Sequence, residues 1–145
     1  MKRLFIGTAL AAALATTVLT PTAEATAADA PRCKTFTQDY GGKWEIKACV
    51  TKVGRTSRHI AFVKKLPRNA KCRIRVWAGT TTFANPGWSW AKDDPRPCAL
   101  GDYQATLGGG WPPHVKAVTR VLVQTPNGDN TFIDFRSPTV QLAPA

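Results

Sequence analysis

Over residues 35–53 apolar and polar positions alternate: Phe36, Trp44, Ile46, Ala48 and Val50 take one parity, and Thr35, Thr37, Lys43, Glu45, Lys47 and Thr51 take the other. A period of two is the mark of an extended strand with one face buried. Tyr40-Gly41-Gly42 interrupts the run. A type I turn with Gly42 in the left-handed conformation closes it into a hairpin whose facing positions sum to 82. Cys33 then stands opposite Cys49 on the polar face, at a separation a disulfide spans.

A second hairpin is predicted from residues 115–124 and 131–135, turned by Pro126-Asn127-Gly128. A turn of that length makes facing positions sum to 254, which pairs Val121 with Ile133 and Thr119 with Phe135 on one side. On the other side Arg120 faces Asp134 and Leu122 faces Phe132, and the opposite charges support the register. Residues 58–64 and 72–78, joined across Pro67-Arg68-Asn69, are further strands, with shorter ones over 103–107 and 139–142. Eleven glycines and eleven prolines punctuate the chain too often for long helices. The predicted fold is an all-β, disulfide-stapled antiparallel sandwich, immunoglobulin-like or barrel-like, of six to seven short strands.

The amino terminus reads as an export signal. Lys2 and Arg3 precede an apolar run over residues 4–19, and Ala23-Glu24-Ala25 ends it with small residues. Cleavage is expected after Ala25; Ala30 ends a second small-residue site, but Pro31 follows it. The run is shorter than the roughly 20 residues that a membrane-spanning helix needs. The expected organisation is a signal peptide over 1–25, a disordered lead-in over 26–32, and one β domain over 33–145, secreted and monomeric. Oxidising surroundings suit the four cysteines; with Cys33 assigned to Cys49, Cys72 falls to Cys98.

Net charge is +11, and removing residues 1–25 takes away two cations and one anion, leaving +10. Between Glu45 and Asp93 stand eleven cations and no acid: Lys47, Lys52, Arg55, Arg58, Lys64, Lys65, Arg68, Lys71, Arg73, Arg75 and Lys92. Such a field attracts polyanions, and it also keeps a secreted protein soluble. Arg73, Arg75 and Trp77 share a parity, as guanidinium forks beside a stacking ring or as stems covering apolar neighbours. Trp88 and Trp90, flanking Ser89, and Trp111 are candidates for a sugar-stacking platform. The binding set is Arg73, Arg75, Trp77, Lys64, Lys65, Arg68, Lys71, Trp88 and Trp90, and its partner an anionic polymer or cell-wall surface.

No catalytic constellation emerges. His59 and His114 are the only histidines, and no serine occupies a nucleophile elbow. No cofactor or metal site is expected, since ligand spacings are missing and the cysteines are taken to be oxidised. A small secreted ribonuclease would draw on Glu45, His114 and Arg73 or Arg75. Four cysteines in sequential pairs and the mature length are similar to the secreted subtilisin-inhibitor family of actinobacteria. That similarity is one of cysteine order and size. The family's reactive bond follows its third cysteine, where Cys72-Arg73-Ile74-Arg75-Val76 reads here as a strand. An inhibitory loop is instead sought at Pro67-Arg68-Asn69-Ala70-Lys71, with a trypsin-like protease as the partner.

Overall fold

The computed structural model describes residues 28–39, 41–54, 56–81, 87–107 and 115–142. The expected signal segment, Trp111 and His114 lie outside them. Among the described residues there are ten strands: β1 (Arg32–Gln38), β2 (Trp44–Val53), β3 (Thr56–Lys65), β4 (Arg73–Thr81), β5 (Ser89–Lys92), β6 (Arg96–Pro97), β7 (Gly101–Leu107), β8 (Lys116–Gln124), β9 (Thr131–Arg136) and β10 (Val140–Gln141). They form two antiparallel sheets, one ordered β1-β2-β3-β7 and the other β10-β8-β4-β5, with β9 also on β8 and β6 also on β4. The strand count exceeds the six to seven expected. Two that the alternation does not announce, β5 and β6, pair with successive stretches of β4, and β9 and β10 do the same along β8. The second sheet is thus bounded by two broken edges, a device that limits edge-to-edge association.

Alternation is obeyed wherever the sheets meet. Ile46, Ala48, Ala61, Val63 and Ala105 from the first sheet pack against Ile74, Val76, Ala78, Val121, Val123 and Ile133 from the second. Phe36 stacks on Phe135 with ring centroids 5.2 Å apart. Val50, Val115, Ala117, Val140 and Leu142 make a second, smaller cluster. The segment Pro67-Arg68-Asn69 carries the chain from one sheet to the other, since β3 belongs to the first and β4 to the second.

The first hairpin has the expected register, with Cys33 opposite Cys49 and Phe36 opposite Ile46. Its turn places both Gly41 and Gly42 at positive φ, 73° and 115°, rather than Gly42 alone. Both disulfides form as paired from the sequence. Each stays within its own sheet, Cys33–Cys49 across β1 and β2 and Cys72–Cys98 beside the β4–β6 ladder, where the Cys98 N–H donates to the Cys72 carbonyl at 2.9 Å. Immunoglobulin domains place the bridge between sheets instead.

Within the expected lead-in, Ala28 bridges Val53, the Asp29 N–H donates to the Lys52 carbonyl at 3.0 Å, and Arg32 belongs to β1. One expectation needs correction. The second hairpin pairs at a sum of 256, so Arg120 faces Arg136 and Leu122 faces Asp134. The turn over Pro126 and Asn127 is present, with Gly128 N–H on the Thr125 carbonyl at 2.8 Å, but the loop extends to Asp129 because Thr125 N–H bonds the Asn130 carbonyl. Phe132 then bulges between the Gln124–Thr131 and Val123–Ile133 pairs. A shift of two leaves Ile133, Asp134 and Phe135 on their predicted faces, while the bulge carries Thr131 over to the side of Gln124, whose amide donates to its hydroxyl at 3.0 Å.

Candidate functional site

The outward face of the second sheet gathers what the chain offers for recognition. Outward positions carry Arg73, Arg75 and Trp77 from β4, Trp90 and Lys92 from β5, Lys116 and Arg120 from β8, and Asp134 and Arg136 from β9. That is six cations against one acid. Rings and cations alternate across it: Lys92 Nζ lies 5.1 Å from the Trp77 ring and the Arg120 guanidinium 5.1 Å from the same ring. Arg120 also lies 5.3 Å from the Trp90 ring, and Arg136 5.0 Å from it. Trp88 extends the row at 5.8 Å from Trp90.

Gly79 makes this ladder possible. It pairs with Trp90 on β5 and with Val118 on β8, and a Cβ there would stand 2.5 Å from Trp90 Cζ3 and 2.9 Å from Val118 Cγ1. With no side chain in the way, the indole leans over β4 toward Arg120 and Arg136. The outward residues Val118 and Leu122 are buried beneath this layer of rings and stems. The aromatic layer therefore covers apolar surface and presents charge at the same time.

Charge on the face is orderly. Arg120 Nε donates to Asp134 at 2.7 Å, and its Nη2 donates to the other carboxylate oxygen. The fork holds the Asp134 carboxyl below its usual range and raises the Arg120 guanidinium further. Arg136 also acts on the Asp134 carboxyl, while Arg73, Arg75 and Lys92 form no ion pair among the described residues. Trp77 Nε1, Arg75 Nε and Gln124 Oε1, on neighbouring outward positions of β4 and β8, are buried with no hydrogen-bond partner.

The sequence-predicted set divides. Arg73, Arg75, Trp77, Trp88 and Trp90 share this face. Lys64 and Lys65 end β3 in the other sheet, where Lys65 pairs with Glu45 at 2.8 Å, while Arg68 and Lys71 line a cleft at the crossover. Lys47 and Arg58 point outward from the first sheet, so the described cations of that interval do not converge; Arg55 lies outside the described residues. Arg120 and Arg136 lie downstream of the acid-free interval and were missed. Parity put Arg120 on the outward side of its hairpin; only sheet order sets it beside Trp77.

Of the residues a ribonuclease would draw on, Glu45 is on the outward side of the first sheet, Arg73 and Arg75 are on that of the second, and His114 lies outside the described residues. The inhibitory-loop candidate folds into a turn closed by Ala70 N–H on the Pro67 carbonyl at 3.2 Å, with Asn69 at a φ of 62°. Arg68 therefore sits in a turn and not in the extended form that protein edges and clefts grip.

His59 has a partner set of its own. The Thr119 hydroxyl donates to the Cys49 carbonyl at 2.7 Å, so its oxygen accepts from His59 Nδ1 at 2.9 Å, and the Ser57 hydroxyl donates to Nε2 at 2.7 Å. Burial holds the imidazole down at about 4. The Ser57–His59 distance is that of a nucleophile and its base, yet both groups are sealed between the sheets at 3% and 0% exposure. This chain of hydrogen bonds ties β3 and β2 to β8. Among the described residues no three acidic, histidine or cysteine side chains cluster to hold a metal, and no helix is long and apolar enough to cross a membrane. Comparison with protein families, with curated proteins and with solved structures gives no match for this chain.

Proposed function

We propose that this is a secreted, non-catalytic domain that adheres to anionic extracellular material, whether cell-wall polymer, polysaccharide or nucleic acid, through the outward face of β5, β4, β8 and β9. The observation that carries this reading is the ladder Lys92–Trp77–Arg120–Trp90–Arg136. Side chains already held against rings lose less freedom on binding than free ones do. Guanidinium forks also match phosphate and carboxylate oxygens. The export signal and the two disulfides support an extracellular setting.

Fluorescence anisotropy with labelled single-stranded DNA and with an acidic polysaccharide, across a salt series, tests it. Affinity should fall steeply and log-linearly with salt, because neutralised anions release counterions. Arg136→Gln and Arg73→Gln should weaken binding, and Lys47→Gln and Arg58→Gln on the opposite face should not. Salt-independent binding, or equal loss from both faces, would sink the reading.

A further inference from the structure

A second site lies where β2, β4 and β9 begin. A cleft of about 450 Å³ opens there between the turn of the first hairpin and the crossover loop. Such a volume suits a small molecule rather than a polymer. Trp44 and Phe132 form its aromatic side, edge to face with centroids 6.0 Å apart. Arg68 and Lys71 line it as well, and they are the only charged residues that do so among those described.

Its walls are set before any ligand arrives. Gly42 presses so closely on Pro67 that a Cβ would fall 2.5 Å from the proline ring. The Pro67–Ala70 turn is closed by its own hydrogen bond, and Cys72 is tied to Cys98. The aromatic side arises from the β9 bulge, because Phe132 is the residue without a partner on β8 and turns toward Trp44. Phe132 remains 49% exposed and so keeps apolar surface available to the cleft it lines.

The geometry points to this cleft as a binding site for a small amphipathic anion, its flat apolar body against Trp44 and Phe132 and its acidic group between Arg68 and Lys71. Apolar contact fixes the body, and two cations with no acid beside them select the charge. This site shares no residue with the tryptophan ladder.

The probe is 8-anilinonaphthalene-1-sulfonate, titrated into the folded protein and compared with neutral N-phenyl-1-naphthylamine. One saturable site is expected, with amide shifts over residues 68–71 and at Phe132. The double variant Arg68→Gln/Lys71→Gln should weaken the sulfonate about tenfold, the loss expected of charge-assisted contacts, and leave the neutral probe unchanged. Phe132→Ser should weaken both probes. Arg136→Gln, which tests the polymer face, should leave both unaltered, so the two proposals fail separately. Undiminished sulfonate binding in the double variant overturns the proposal, as do shifts confined to residues 88–92 or titrations that do not saturate.

Discussion

The indole of Trp90 lies on the bare backbone of Gly79, the residue opposite it across the β5–β4 ladder. This contact lets a side chain from one edge of the sheet meet Arg136 on the other. Without it Trp90 would stand away from the sheet, and Arg120 would have one ring beside it instead of two.

Gly79→Ala is therefore expected to displace Trp90. Overpacking of this kind costs about 1–3 kcal/mol, read as a lower urea midpoint with the slope unchanged. Near-ultraviolet circular dichroism should change in the tryptophan region, and polymer binding should weaken several-fold. Wild-type binding by a variant with a displaced Trp90 would separate the ring from the function.

Asp134 neutralises the centre of an otherwise cationic face. Asp134→Asn keeps its shape and frees the Arg120 guanidinium. Stability should fall by less than about 1 kcal/mol, since the carboxylate is substantially exposed. Affinity for single-stranded DNA should rise, with a steeper salt dependence by roughly one phosphate contact. A drop in affinity would show that the carboxylate serves the ligand.

The buried histidine makes a signed prediction about pH. His59 titrates at about 4 in the fold against 6.5 as its ordinary value, so the unfolded chain binds the extra proton between these values. Its contribution is fully present above pH 6.5 and is lost as pH falls toward 4, amounting to roughly 2–3 kcal/mol between pH 7 and pH 4.5. Urea unfolding at the two values should show this loss in the wild type. His59→Gln, less stable at neutral pH, should show a much flatter dependence.

The two disulfides should differ in what they protect. They close spans of 16 and 26 residues, for which the chain-entropy model gives about 3 and about 3.5 kcal/mol. Cys33→Ser/Cys49→Ser should lose stability and keep polymer binding at temperatures where it remains folded. Cys72→Ser/Cys98→Ser releases the segment that carries β5 and β6, so binding should weaken as well. Equal binding by both double variants would show that the ladder does not need that staple.

Local chemistry made much of this molecule legible. Alternation showed which side chains of 35–53 and 115–124 face inward, and two glycines after Tyr40 set the register that joins Cys33 to Cys49. The second hairpin departs by two positions from the register its turn residues predict, because the longer loop depends on the Thr125 hydroxyl and on backbone bonds between Thr125 and Asn130 that no turn rule ranks. Charge counted along the chain pointed to residues 47–92, yet those cations divide between opposite faces. A period of two tells which way a side chain points relative to its own strand; it carries no information about which strands become neighbours. That choice comes from packing between distant segments, and it alone placed Arg120 and Arg136 beside Trp77 and Trp90, laid an indole over Gly79, and turned Phe132 toward Trp44.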